Sequence, residues 1–139
     1  MNFDRKYLVI ALIYGALGML LGIFMAATQN HAQHVTHAHL LLVGFVVSFV
    51  YAVIHRVWLG ESRGIVPTLQ FVLHHVGTVG MISGLFLMYS GRAAPATLEP
   101  LMAGSSLAVL AGLLLMLFLT MKLRGRALDE ARASDSAPL

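Results

Sequence analysis

The chain has 139 residues, 58% of them hydrophobic and 11% charged. Soluble domains average about 45–50% apolar and about 25% charged. With a mean hydropathy of +0.82, the composition excludes an ordinary water-soluble domain and makes lipid the solvent. The chain has no cysteine, which excludes disulfide frameworks, thiolate zinc sites, iron–sulfur clusters and cysteine nucleophiles.

A membrane helix needs about 20 mostly apolar residues, and four stretches qualify. The first runs over about 7–27. Basic residues precede it, but its apolar run exceeds the 7–15 residues of a cleavable signal, so it reads as a retained span. The second covers about 35–58, the third about 67–90 and the fourth about 100–121. Pro67 and Pro100 suit a first helical turn, where a missing N–H costs nothing. The stretch 124–139 is polar and is expected to fray as a tail. The expected fold is an all-α, integral membrane four-helix bundle over 1–123, with short connections and antiparallel neighbours.

Lys and Arg set the orientation. Arg5 and Lys6 precede the first span. Arg56 and Arg63 lie at the second turn, and Lys122, Arg124, Arg126 and Arg132 follow the fourth span. Only Arg92 falls on the other side. Both termini are therefore expected in the cytoplasm, in a bacterial-type inner membrane. The pI near 9.7 reflects this asymmetry and does not argue for nucleic acid as a partner.

The strings GALGMLLGIF (15–24) and GTVGMISGLF (77–86) carry glycines at matching positions. Small residues at this spacing let helices approach closely in lipid, so the first and third spans should pack tightly against protein.

The six acidic residues all lie outside the spans. Proton-coupled transport through a membrane carboxylate and carboxylate-bridged metal sites are therefore disfavoured, and no Ser–His–Asp or paired-carboxylate arrangement is visible. The seven histidines behave differently. His31 and His34 fall in the outer loop. His37 and His39 open the second span, in THAHLLLVGF, and His55 closes it at the inner face. His74 and His75 lie within the third, in LQFVLHHVGTVGM. An ionisable residue in a span is a functional hypothesis by default, and a neutral imidazole can hydrogen-bond or bind a metal.

Residues two apart on an α-helix are rotated by about 200°. His37 and His39 should then serve two sites, or one site and one hydrogen bond. His74 and His75 are about 100° apart and address one site only with a local distortion. His75 lies about 15 residues, roughly 22 Å, below the outer end of its span. One iron shared by His39 and His75 within a protomer is strained, whereas ligation by outer histidines of neighbouring protomers is not.

The segment THAHLLLVGFVVSFVYAVIHRVWLG (36–60) resembles the tenth transmembrane helix of subunit I in heme-copper oxidases. There an H-x-H motif is followed by an apolar run with a glycine, and its two histidines serve different hemes. His37 and His39, with Gly44 and His55, hold the matching positions. HHVGTVGM (74–81) is similar to the family's segment of copper ligands, at His74 and His75. Subunit I has twelve spans in three pseudo-symmetric groups of four, and this chain is similar to one such group.

The resemblance implies heme b held by His37 and His39, with His75 and His74 as further candidates for heme or metal. It implies electron transfer, or O₂- or NO-related redox chemistry. An oxidoreductase activity would be of the heme-copper oxidase type, although one chain holds no complete catalytic centre. Arg92 would suit a heme propionate. A homotrimer would mimic the twelve-span subunit; a dimer and a separate redox partner protein are also compatible. The alternatives are copper or zinc handling, also using His31 and His34, and a cofactor-free assembly subunit.

Overall fold

The computed structural model describes residues 2–60 and 64–135 and is helical throughout its regular structure. Four helices are long and apolar enough to cross a membrane: α1 (Phe3–Thr28), α2 (His34–Leu59), α3 (Ile65–Tyr89) and α4, whose apolar part is Pro95–Lys122. Their lengths of 26, 26, 25 and 28 residues each exceed the ~20 needed to span hydrocarbon. Arg63, at the turn between the second and third spans, and residues 136–139 of the tail lie outside the described residues.

Helix α1 starts at Phe3, four residues before the sequence reading, and both ends of α4 differ more. The fourth helix starts at Pro95, so Pro100 sits inside it rather than at its start. Pro95 takes the favoured first position, and Pro100 withholds an N–H from a carbonyl one turn from the helix end. At the other end α4 runs on to Asp135. Polarity ends the apolar segment, but a stretch rich in Ala and Arg favours helix.

Chain reversals carry the turn chemistry their sequences offer. After α1, Gln29 adopts a left-handed conformation (φ 53°), and both its backbone N–H and its side-chain amide donate to the Ala26 carbonyl. Gly91 (φ 68°) takes the same role after α3, where a side chain would be strained.

The helices pack as two close pairs, each seated on one of the glycine triplets. On α1, Gly15 lies under Phe45, Gly18 under Leu41, and Gly22 under the His37 ring. On α3, Gly84 faces Met102, and Gly77 faces Ser105 and Val109. In both pairs the numbering falls along one helix as it rises along the other. A Cβ added at Gly77 would come 2.7 Å from the Ser105 carbonyl oxygen and 2.9 Å from the Val109 nitrogen. Those are backbone atoms and cannot turn aside, so only glycine permits this approach. The expectation that both spans pack tightly against protein is met.

The α2 helix is not uniformly α-helical. It widens to π-helical geometry over Leu40–Val47 and again over His55–Leu59. Gly44 lies in the first wide segment, and the Tyr14 side chain packs against it. The pairs join around a core of Tyr7, Tyr51, Ala52, Leu59 and Met116. The outward faces are apolar, as at Leu20, Ile23 and Phe24 of α1, each about three-fifths exposed. In water such a surface would drive association; in lipid it is the solvated face.

Candidate functional site

The histidines separate into two groups at different ends of the packed helices. The first is the H-x-H pair at the start of α2. The His37 ring lies over Gly22, and its Nδ1 is 2.9 Å from the Gly18 carbonyl oxygen. His39 Nδ1 is 2.9 Å from the carbonyl of Val35, one turn back on its own helix. A carbonyl oxygen only accepts, so in both rings Nδ1 carries the hydrogen. In the neutral form the lone pair is then on Nε2. A backbone carbonyl holding the far ring N–H is the usual arrangement behind a metal-ligating histidine.

The two rings find different partners. His37 is turned into the interface with α1, while His39 takes its hydrogen bond from its own helix. Both remain partly accessible. The π-helical segment begins at Leu40, immediately after His39. Wide turns of this kind often accompany functional sites, because they cost regular hydrogen bonding.

Other candidates gather at this end. Gln33 donates from Nε2 to the Phe86 carbonyl (3.2 Å) and accepts from the Thr36 hydroxyl (2.7 Å), which ties α2 to the end of α3. His34 donates from Nδ1 to the His31 carbonyl, and its ring lies 6.2 Å from that of Tyr89. Arg92 follows three residues later, with its backbone N–H on the Leu87 carbonyl and its side chain exposed. Arg92, His37 and His39 therefore share one end of the molecule.

The second group is a buried polar cluster near the start of α1. Tyr7 is its hub and is fully buried, as are His55, Gln70, His74, Thr78 and Ser48. The Tyr7 hydroxyl donates to Gln70 Oε1 at 2.6 Å. The Tyr7 ring lies 5.1 Å from His75, 5.6 Å from His55 and 6.0 Å from His74. Ser48 Oγ is 2.9 Å from His74 Nε2, and Thr78 donates to the His74 carbonyl at 2.7 Å. His75 packs edge-on against Phe71 at 4.5 Å, beside Tyr14.

His55, which closes α2, is buried against protein. It is stacked between Phe3 and Tyr7 in the interior. Within the cluster, Gln70 Nε2, His74 Nδ1 and both ring nitrogens of His75 are buried without a hydrogen-bond partner among the described residues.

Of the sequence candidates, the structure brings His37, His39 and Arg92 to one end and His74 and His75 together in the other group. His75 is not brought to His39. Among the described residues no three potential ligands converge on one metal position. Sequence reading passed over Tyr7, Ser48, Gln70 and Thr78. The signal was present: Gln70, His74 and Thr78 recur every fourth residue, which places them on one face of α3. No protein-family model, curated protein or solved structure matches the chain.

Proposed function

We propose that the protein is an integral membrane heme b protein, akin to one four-helix unit of heme-copper oxidase subunit I. Its role is electron transfer or O₂- or NO-related redox chemistry. In this reading His39 and His37 would hold the heme iron through Nε2, neighbouring helices are antiparallel, and both termini are cytoplasmic in a bacterial-type inner membrane. The chain forms a homotrimer or homodimer that receives electrons from a redox partner protein.

One observation carries the reading: both imidazoles of the H-x-H pair have Nδ1–H tied to a backbone carbonyl, which leaves Nε2 as the lone-pair nitrogen. The donor set therefore fits an iron porphyrin. When bound, the heme supplies one-electron chemistry at an iron tuned by its axial ligands and burial. The chain's own part is to fix tautomer and orientation. The Val35 carbonyl prevents His39 from presenting Nδ1, and the Gly18 carbonyl does the same for His37. Because His39 is partly accessible, its ligand nitrogen suits a site shared with a second protomer. Arg92 at the same end would serve a propionate through a bidentate pair.

The test is the absorption spectrum of detergent-purified protein expressed with ample heme. A Soret band with sharp α and β bands on reduction is expected, and His39→Ala should remove it. Absence of a Soret band overturns the reading.

A second reading, copper handling, has its own observation. Three ring nitrogens on the adjacent His74 and His75 are buried without partners among the described residues. Copper that co-purifies with the wild type and is lost in His75→Leu would move the function to that cluster.

A further inference from the structure

A groove of about 430 Å³ opens between α1 and α2 at the end that carries the start of α1. Leu8, Phe49, Ala52 and Val53 form its apolar wall, and Asp4, Arg5 and Arg56 form its rim. The wall residues of α2 are spaced at three and four, so they make one stripe that ends at Arg56. Leu8, Phe49 and Val53 are each about two-fifths exposed, enough apolar surface to receive a hydrocarbon chain.

The rim is biased toward an anion. Asp4 is already committed: its Oδ1 accepts from the Arg5 backbone N–H at 2.7 Å, and its Oδ2 lies 3.6 Å from the Arg56 guanidinium. The Arg56 side chain is 79% exposed and that of Asp4 22%, and a pair at 3.6 Å with so exposed a guanidinium holds weakly. Arg5 is exposed and has no carboxylate within reach among the described residues. Two guanidiniums against one carboxylate leave a net positive rim above an apolar stripe at a helix end. A guanidinium takes a phosphate oxygen pair in bidentate fashion.

We propose that this groove is a binding site for an anionic phospholipid of the phosphoglycerol type. Its phosphate would lie between Arg5 and Arg56, and one acyl chain would lie along Leu8, Phe49 and Val53. A zwitterionic choline lipid offers the same chain and phosphate, but its own ammonium neutralises the charge the rim selects. The groove lies at the opposite end of α1 from Gly22 and His37, so lipid binding there stands whether or not the chain holds heme.

Native mass spectrometry after equilibration with an equimolar mixture of phosphatidylglycerol and phosphatidylcholine of identical acyl chains tests the site. Phosphatidylglycerol adducts should exceed phosphatidylcholine adducts by about fivefold or more, as basic residues at a membrane surface imply. The Arg5→Gln/Arg56→Gln double variant should bring the ratio close to one. Lys122→Gln, a charge loss on α4, should leave it unchanged. Circular dichroism checks that all variants remain helical. Equal uptake by the wild type, or a preference that survives in the double variant, overturns the proposal. So does disulfide formation by Leu8→Cys in phosphatidylglycerol bilayers, since the native chain has no cysteine and that bond would place a second copy in the groove. No disulfide there supports it.

Discussion

The H-x-H pair and the buried His74–His75 pair solve the cost of an imidazole in a membrane in different ways. At the start of α2 each ring hands one N–H to a backbone carbonyl, and its other nitrogen has no hydrogen-bond partner among the described residues, on a partly accessible surface. At the centre of α3, His74 has one ring nitrogen bonded to Ser48, and His75 has neither nitrogen bonded to a described residue. The first pair is fixed in one tautomer by its carbonyl partners. The second is enclosed by Tyr7, Tyr14, Tyr51 and Phe71 and is tied through Ser48 to α2. Position in the sequence does not reveal this distinction; what each nitrogen touches does.

The largest expected effect breaks the comparison at its functional side. His39→Ala should lower heme content by about tenfold or more, measured as the pyridine hemochrome per chain, while His74→Leu should leave it near the wild-type value. Equal losses would mean that the pairs are not functionally distinct.

Next come the two hydrogen bonds that tie the cluster together. Tyr7→Phe keeps the aromatic hub but removes the donor to Gln70, leaving another buried polar atom without a partner. Ser48→Ala does the same to His74 Nε2. Each should destabilise the protein by about 0.6–2 kcal/mol, the range for interhelical hydrogen bonds in membranes. Thermal unfolding in detergent, followed by circular dichroism, reads this loss. Heme content should be unaffected in both.

Much of this organisation was legible in the sequence. Length and hydropathy locate four long apolar helices, because the bilayer imposes a minimum run that a sequence either meets or does not. The glycine triplets announce the close helix faces, because only a missing side chain allows backbones so near. The opposed directions of His37 and His39 follow from helical rotation alone. The widening of α2 after His39 was not legible: Leu40–Val47 reads as an apolar run, and the packing of Tyr14 on Gly44 within the wide segment joins residues far apart in sequence. Nor was the cluster around Tyr7 legible as a unit. It is assembled from α1, α2 and α3, and its members are far apart in sequence. Pro100 misled because a proline near a helix start and a proline at its start look alike until the helix is seen.

A smaller effect should follow from Gly22→Ala. The added Cβ would come 2.9 Å from His37 Cε1. The ring is the far end of a flexible side chain, so it can swing away, but only by loosening its bond to the Gly18 carbonyl. A loss of about 0.5–1.5 kcal/mol is expected, the net worth of one hydrogen bond. A shift of the reduced α band would accompany it if His37 ligates. An unchanged spectrum with reduced stability would assign His37 to helix packing and leave His39 as the ligand of the pair.

The smallest effect carries the sharpest sign. His75→Leu replaces an imidazole whose two buried nitrogens meet no partner among the described residues with an apolar side chain of similar bulk. The wild type already bears the cost of burying those nitrogens, and Phe71, Tyr7 and Tyr14 offer the new side chain an apolar surround. Removing polar atoms that make no hydrogen bond is neutral or stabilising, by up to about 1 kcal/mol. A leucine cannot reproduce the ring packing of His75 on Phe71 and Tyr7, which offsets part of this gain. The unfolding midpoint should therefore stay level or rise slightly, where Tyr7→Phe and Ser48→Ala lower it. A clear fall together with loss of co-purifying copper would show that the His75 nitrogens hold a partner outside the chain, which is what the copper reading requires. The same variant thus separates a packed histidine from a ligating one, by a sign rather than a magnitude.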